Sequence, residues 1–101
     1  RYGVLEEINN KPFLIHEKPN KYISDNAVVG IYMYKNNVVE LVKHLKPSKR
    51  GELEITDLNN IYINKNDCDV VYLEKSSVWF DSGTFESLYN ASEYIKRNYK
   101  S

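Results

Sequence analysis

Apolar residues in this chain of 101 residues switch between a period of two and a period of about 3.6, and this switching constrains the fold most strongly. Strand-like segments with the shorter period alternate with helix-like segments of the longer one. That succession predicts an α/β fold built on a mixed sheet rather than a β-sandwich. The length, with 42% hydrophobic and 28% charged residues, predicts a single globular domain over residues 1–101.

The first third of the chain predicts a hairpin followed by a central strand. Residues 2–8 and 13–17 are strand-like, and the intervening residues 9–12 (NNKP) are turn formers. Residues 26–34 (NAVVGIYMY) are rich in β-branched and aromatic side chains without strict alternation. This pattern is typical of a strand covered on both faces, so we expect it at the centre of the sheet.

Three helices and two further strands are predicted in the rest of the chain. Asn36 is a candidate cap for a first helix that ends before Pro47, and a second helix is expected from near Leu53 or Thr56 to Asn64. Thr84 is expected to cap the last helix. Residues 69–74 (DVVYLE) and 77–81 (SVWFD) read as short strands between these helices.

Charge and cysteine content exclude several classes of function. Fourteen Lys and Arg balance fourteen Asp and Glu, so the attraction that draws a generic binder to nucleic acid or an anionic membrane is missing. A lone Cys68 forms no internal disulfide, and its acidic neighbours should raise the thiol pKa, which argues against a nucleophile. We therefore expect a cytosolic protein without a membrane segment. Its first residue is not Met, and we interpret the chain as a piece of a longer protein.

Candidate chemistry lies at two strand ends and one loop. Asp81 follows a strand-like run and precedes a glycine turn, a place where open α/β sheets bind ligands and where a carboxylate can bind Mg²⁺. The simpler alternative is that Asp81 only hydrogen-bonds the backbone of its own turn. The loop 46–52 (KPSKRGE) holds three cations and could bind a phosphate, or could be solvated surface. Glu17 and Lys18 at a strand end also allow two interpretations. They could contact a sugar hydroxyl and a phosphate, or they could form only a surface ion pair.

Five ordered segments together resemble the glucose-1-phosphate thymidylyltransferases, a family of sugar nucleotidyltransferases. They run across nearly the whole chain, and the most specific to the family is residues 50–57 (RGELEITD). The segments are residues 1–4 (RYGV), 17–19 (EKP), 26–32 (NAVVGIY), 46–57 (KPSKRGELEITD) and 79–84 (WFDSGT). The resemblance is to the C-terminal part of these enzymes. It implies the C-terminal part of a Rossmann-like mixed-sheet nucleotide-diphospho-sugar transferase fold, with an N-terminal nucleotide-binding half absent from this chain.

The resemblance also implies a reaction and a set of site residues. The family transfers dTMP from dTTP to glucose 1-phosphate, so positioning and charge neutralisation by cations and Mg²⁺ carry the catalysis. Lys18 and Arg50 would hold the 1-phosphate, and Asp81 would bind Mg²⁺. The residues expected to contact or enclose the sugar are Gly3, Glu17, Val28, Tyr32 and Trp79. For the intact enzyme the resemblance suggests a homotetramer.

Alternatives remain at this point. The intact protein could use another NTP or another sugar 1-phosphate, or the chain could be a free-standing module that binds sugar phosphates without chemistry. No stretch of this chain replaces the Gly-rich nucleotide loop of the family. We therefore expect this chain alone to be inactive.

Overall fold

A computed structural model describes residues 2–99 of the chain. Their elements, in chain order, are β1 (Gly3–Ile8), β2 (Lys11–Glu17), β3 (Ala27–Val28), α1 (Val38–Lys43), α2 (Ile55–Asn64) and α3 (Phe85–Asn98). The chain divides into two compact units, residues 1–70 and residues 71–101. Strands and helices both form, so the α/β class is confirmed. Arg1, the first residue of the first family-like segment, lies outside the described residues.

The predicted hairpin is confirmed, but its turn is two residues long, and Lys11 and Pro12, which were predicted to lie in the turn, belong to β2. Asn9 and Asn10 have φ of 54° and 62°, the left-handed backbone that both central residues of a two-residue hairpin turn require. Asparagine adopts this conformation more easily than most residues. β1 and β2 pair antiparallel, with Gly3 opposite Glu17 and Ile8 opposite Lys11. A β-bulge between Glu6 and Glu7 shifts the register by one residue, so the turn and the bulge together place Glu17 opposite Gly3.

The predicted central strand is wrong. Within residues 26–34 only β3 forms, and it lies at an edge of a sheet whose order is β2-β1-β3. The Ile31 N–H donates to the Val29 carbonyl at 3.0 Å, so the chain turns sharply at Gly30 and leaves the sheet. Both pairings of this sheet are antiparallel, so the predicted mixed sheet is not found among residues 2–99.

Residues 69–74 and 77–81 are not strands, contrary to prediction. They are extended segments joined by a turn in which the Ser77 N–H donates to the Glu74 carbonyl at 2.9 Å. Extended backbone becomes a strand only where a neighbour pairs with it, and the described residues provide no such ladder here. Side chains along both segments are largely exposed, among them Val71 and Trp79.

The three predicted helices form, with shifts at their ends. α1 begins at Val38 after Asn37 rather than Asn36, and Asn37 makes no side-chain cap because its Oδ1 accepts from the Tyr62 hydroxyl at 3.0 Å. α2 lies against β2 and buries Leu58, Tyr62 and Ile63. α3 has the predicted cap, since Thr84 and Ser87 form a reciprocal capping box.

The core of the first unit is small and lies between the sheet and α2. Leu5, Ile15 and Ile63 are buried in one cluster, with partly buried hydrophobic side chains packed against it: Val28, Cys68 and Val70. Burial first, and then the charges of Asp69 and Asp67, raise the pKa of the Cys68 thiol, in the predicted direction. None of the helices among residues 2–99 is long and apolar enough to cross a bilayer.

Candidate functional site

One pocket of the first unit collects three of the predicted site residues. It has a volume of about 410 Å³ and opens at the carboxyl end of β2, beside the start of α2. Glu17, Lys18 and Arg50 line it together with residues of the loop before α2 and of its first turn: Ser48, Lys49, Glu54, Thr56 and Asp57. We call this the Glu17 pocket. It brings together the strand end at residues 17–18 and the cationic loop at residues 46–52, which are far apart in the sequence.

Glu17 is oriented from α2. The Thr56 hydroxyl donates to its Oε2, and Thr56 is buried at the start of that helix. Glu17 ends β2, so strand pairing fixes its backbone while Thr56 fixes its carboxylate. The sequence placed Thr56 only in a family-like run and near a helix start. Its contact with Glu17 spans 39 positions and could not be inferred from local spacing.

Gly3 and Val28 lie beside Glu17 in the sheet. Gly3 is paired with Glu17 on one side and with Val28 on the other. A Cβ added at Gly3 would lie 3.1 Å from the Ile15 Cγ2 atom, 3.7 Å from the Thr56 hydroxyl oxygen and 3.8 Å from the Val28 Cβ. The close packing of Ile15 against the sheet therefore depends on a glycine at this position. Its expected contact with the sugar stays a prediction.

Lys18 bends the chain at the end of β2. Its φ of 45° is left-handed, a conformation that costs a residue with a Cβ about 1–2 kcal/mol. The Lys18 N–H donates to the Tyr2 carbonyl at 3.1 Å, which closes the strand pairing at this point. Strained backbone of this kind often accompanies binding sites.

Arg50 is held by two carboxylates. Its Nη2–H and Nε–H groups donate to Oε1 of Glu54 at 2.8 and 3.2 Å, and its Nε lies 3.3 Å from Oε2 of Glu52. The bond to Glu54, followed by the charges of Glu52 and Glu54, raises the pKa of Arg50 above its usual value. Glu54 is 15% exposed and Arg50 60% exposed, so the acid is the fixed partner.

Tyr32 lies on the segment that leaves the sheet after β3. Burial first, and then the negative charge of Glu17, raise the pKa of its phenol. Its ring lies 6.3 Å from that of Tyr34, which lies 5.6 Å from that of Tyr62 on α2. This row of rings fastens the segment to α2 and holds Tyr32 within electrostatic reach of Glu17.

The charges of the Glu17 pocket balance. Three carboxylates (Glu17, Glu54, Asp57) face three cations (Lys18, Lys49, Arg50). The hydrogen bonds between Arg50 and Glu54 use the Nε and Nη2 atoms of the arginine. A bound phosphate would therefore either displace Glu54 from these atoms or bind Arg50 through Nη1. A carboxylate beside cations can accept bonds from hydroxyl groups while the cations bind an anion.

Asp81 and Trp79 belong to the second unit. The Gly83 N–H donates to Oδ1 of Asp81 at 3.2 Å, so the carboxylate does bond the backbone of its own turn, as the simpler interpretation required. Trp79 is 42% exposed. The expected roles of Asp81 in binding Mg²⁺ and of Trp79 in contacting the sugar stay predictions.

Magnesium fits these residues only in part. Asp81 can supply one carboxylate ligand, and Mg²⁺ often takes one or two carboxylates together with substrate phosphates. Across residues 2–99 no group of three or more His, Cys, Asp or Glu side chains could hold a metal ion. The role of Asp81 as a Mg²⁺ ligand therefore stays a prediction.

A second pocket of about 500 Å³ lies on the other flank of α2. Phe13 and Leu14 of β2 line it with Lys46 and a row of α2 residues: Asp57, Asn60, Ile61 and Asn64. Asp57 lines both pockets. None of the predicted site residues is among the described residues that line it.

Comparison with known proteins gives the class. The family model described as nucleotidyl transferase matches residues 1–98, so the chain belongs to the nucleotidyl transferase family. It is 45% identical over 97 residues to the glucose-1-phosphate thymidylyltransferase of Neisseria meningitidis. That alignment covers 95% of this chain and 34% of the Neisseria protein. The enzyme of that name from Mycolicibacterium smegmatis is 42% identical over 96 residues, covering 94% of this chain and 33% of that enzyme.

A solved structure agrees with these relatives. A Bacillus anthracis protein assigned as a glucose-1-phosphate thymidylyltransferase, crystallised with sucrose, superposes with a TM-score of 0.78 at 44% identity, over 100% of this chain and 40% of that one. The chain thus spans about a third of the length of the curated relatives it matches. These matches do not support the narrower prediction that it is the C-terminal portion of such an enzyme.

Proposed function

We propose that this chain supplies the sugar-phosphate-binding part of a glucose-1-phosphate thymidylyltransferase. One observation carries the proposal: Glu17, Lys18 and Arg50 line a single pocket of about 410 Å³. That volume is within the range of small-molecule sites. The names of the relatives support the choice of glucose 1-phosphate and dTTP as the substrates of the full-length enzyme.

The proposed reaction needs no protein nucleophile. A phosphate oxygen of glucose 1-phosphate attacks the α-phosphorus of dTTP, a P–O bond forms, and the bond to the leaving pyrophosphate breaks. Lys18 and Arg50 hold the attacking phosphate, which reduces its repulsion from the triphosphate. Glu17 accepts hydrogen bonds from the sugar hydroxyls, with Gly3, Val28 and Tyr32 enclosing the ring.

Asp81 is proposed as one ligand of Mg²⁺ in the full-length enzyme. When bound, the ion would neutralise charge on the phosphoryl oxygens. Since the chain offers one carboxylate for it, the remaining ligands would come from the phosphates and from the rest of the enzyme. This chain alone is therefore proposed to bind sugar phosphate without turnover. A cytosolic location and a homo-oligomeric full-length enzyme are part of the same proposal.

Titration of the chain with glucose 1-phosphate tests the proposal, with amide chemical shifts as the readout. We expect shifts at Gly3, Glu17, Val28 and Arg50, and none along α3. Glucose and inorganic phosphate, added separately, serve as controls and should shift fewer of these amides. Absence of shifts at any concentration would contradict a preformed sugar-phosphate site. Comparing dTTP, UTP and CTP with several sugar phosphates in the full-length enzyme tests the specificity.

A further inference from the structure

Asn60 covers the open edge of β2. Its Oδ1 accepts from the Ile15 N–H at 2.8 Å, and its Nδ2–H donates to the Ile15 carbonyl at 3.0 Å. One side-chain amide thus pairs with both backbone groups of a single strand residue, as a neighbouring strand would. Asn60 lies on α2, 45 positions away from Ile15 in the sequence.

The pattern of the sheet explains why Ile15 needs this partner. Ile15 is opposite Leu5, and Leu5 directs its own backbone groups to the other side, where its N–H donates to the Asn26 carbonyl at 2.9 Å. The Leu5 carbonyl accepts from the Ser24 hydroxyl at 2.5 Å. In an antiparallel pair such residues do not bond each other, so the groups of Ile15 face outwards. Ile15 is 8% exposed, so water has little access to its backbone N–H and carbonyl groups. Asn60 supplies the hydrogen bonds that these two groups need.

Helix and strand spacings match at this contact. Thr56 and Asn60 are one helical turn apart, about 6 Å along α2. Glu17 and Ile15, their respective partners, are two strand residues apart, about 6.6 Å along β2. Thr56 bonds Glu17 and Asn60 bonds Ile15, so α2 holds β2 at two points. The distance between these points along the helix nearly equals the distance between them along the strand. A slip at one point would misalign the other.

We propose that Asn60 is a positioning residue for Glu17 and sets the affinity for the sugar. It fixes the register of β2 against α2, so that the Glu17 carboxylate meets the Thr56 hydroxyl and faces the Glu17 pocket. This inference rests on the proposed function, because Glu17 is its target. Asn60 itself lines the other pocket and does not line the Glu17 pocket.

The first test measures KM values in the full-length enzyme. For Asn60→Ala we expect the KM for glucose 1-phosphate to rise about tenfold, with the KM for dTTP changed by less than about twofold. Asn60→Asp keeps an acceptor for the Ile15 N–H and loses the donor, so it should give a smaller rise and provides a second folded variant. Asn64→Ala, an exposed change on the same helix, is the control and should leave both KM values unchanged. Equal rises in both KM values would indicate a general structural role and overturn the proposal.

The second test combines Asn60→Ala with Glu17→Gln. If Asn60 acts through Glu17, the double variant should have a KM for glucose 1-phosphate close to that of Glu17→Gln alone. The Glu17 carboxylate is already absent from that variant, so Asn60→Ala has no carboxylate to displace. Multiplying effects would overturn the inference while leaving the proposed function intact. No effect of Glu17→Gln itself would instead contradict the proposed function.

Discussion

Glu54 holds Arg50 through both of its carboxylate oxygens. The Nη2–H groups of Arg50 lie 2.8 Å from Oε1 and 3.1 Å from Oε2. Glu54 precedes α2 as its N-cap residue, yet its side chain makes no cap bond and serves the arginine instead. The cation proposed to bind phosphate is therefore already paired with an anion, and substrate binding must be weighed against that pair.

Glu54→Gln should tighten the binding of glucose 1-phosphate to the chain. The change removes one of three carboxylates from the Glu17 pocket and retains an oxygen that can still accept from Arg50. Because Arg50 is largely exposed, the gain should be modest, about two- to fivefold in Kd. Calorimetric titration measures it. Glu93→Gln is the control, since Glu93 forms the equivalent i,i+4 pair with Arg97 on α3. Weaker binding would mean that holding Arg50 in place matters more than the charge.

Arg50→Lys should weaken the same binding by about tenfold. A lysine keeps the charge, but its ammonium group cannot offer the planar fork that contacts an acid and a phosphate together. The Kd for glucose 1-phosphate is again the measurement. Arg97→Lys makes the same chemical change outside the pocket, at the other i,i+4 pair, and should not alter the Kd. An unchanged Kd for Arg50→Lys would remove the arginine from the phosphate site.

Local signals predicted the elements that form through local interactions. A turn within residues 9–12, the Thr84 cap of α3 and a helix ending at Asn64 are all set by residues close in the sequence, and all three are confirmed. The strands predicted at residues 69–81 failed because a strand depends on a neighbour, which composition does not reveal. Residues 26–34 failed for the same reason, since the chain turns away after Val29.

The candidate site could likewise be predicted only in part from the sequence. The resemblance supplied Glu17, Lys18 and Arg50, which do line one pocket. It did not supply the contacts that hold them: Thr56 to Glu17 and Asn60 to Ile15 join residues 39 and 45 positions apart. Such pairings depend on how α2 packs against β2, and no periodicity within either element encodes them.

Gly3→Ala should destabilise the first unit by about 1 kcal/mol. The added Cβ would lie 3.1 Å from the Ile15 Cγ2 atom, so a buried side chain must shift. Loss of chain entropy in the unfolded state offsets part of that cost. Urea unfolding measures the free-energy change. Gly30→Ala is the matched control, because a Cβ there meets nothing within 4 Å, and it should be neutral or slightly stabilising. Equal effects of the two changes would contradict the close contact at Gly3.

Thr84→Ala should loosen the start of α3. The Thr84 hydroxyl accepts from the Ser87 N–H at 3.0 Å, and the Ser87 hydroxyl accepts from the Thr84 N–H at 3.1 Å. Loss of such a cap costs about 1 kcal/mol, and this helix has no buried side chain to compensate. Amide hydrogen exchange in the first turn should accelerate about fivefold. Thr84→Ser keeps the hydroxyl and should exchange at nearly the original rate. If the alanine and serine variants exchanged alike, packing rather than the cap would set the stability of this helix end.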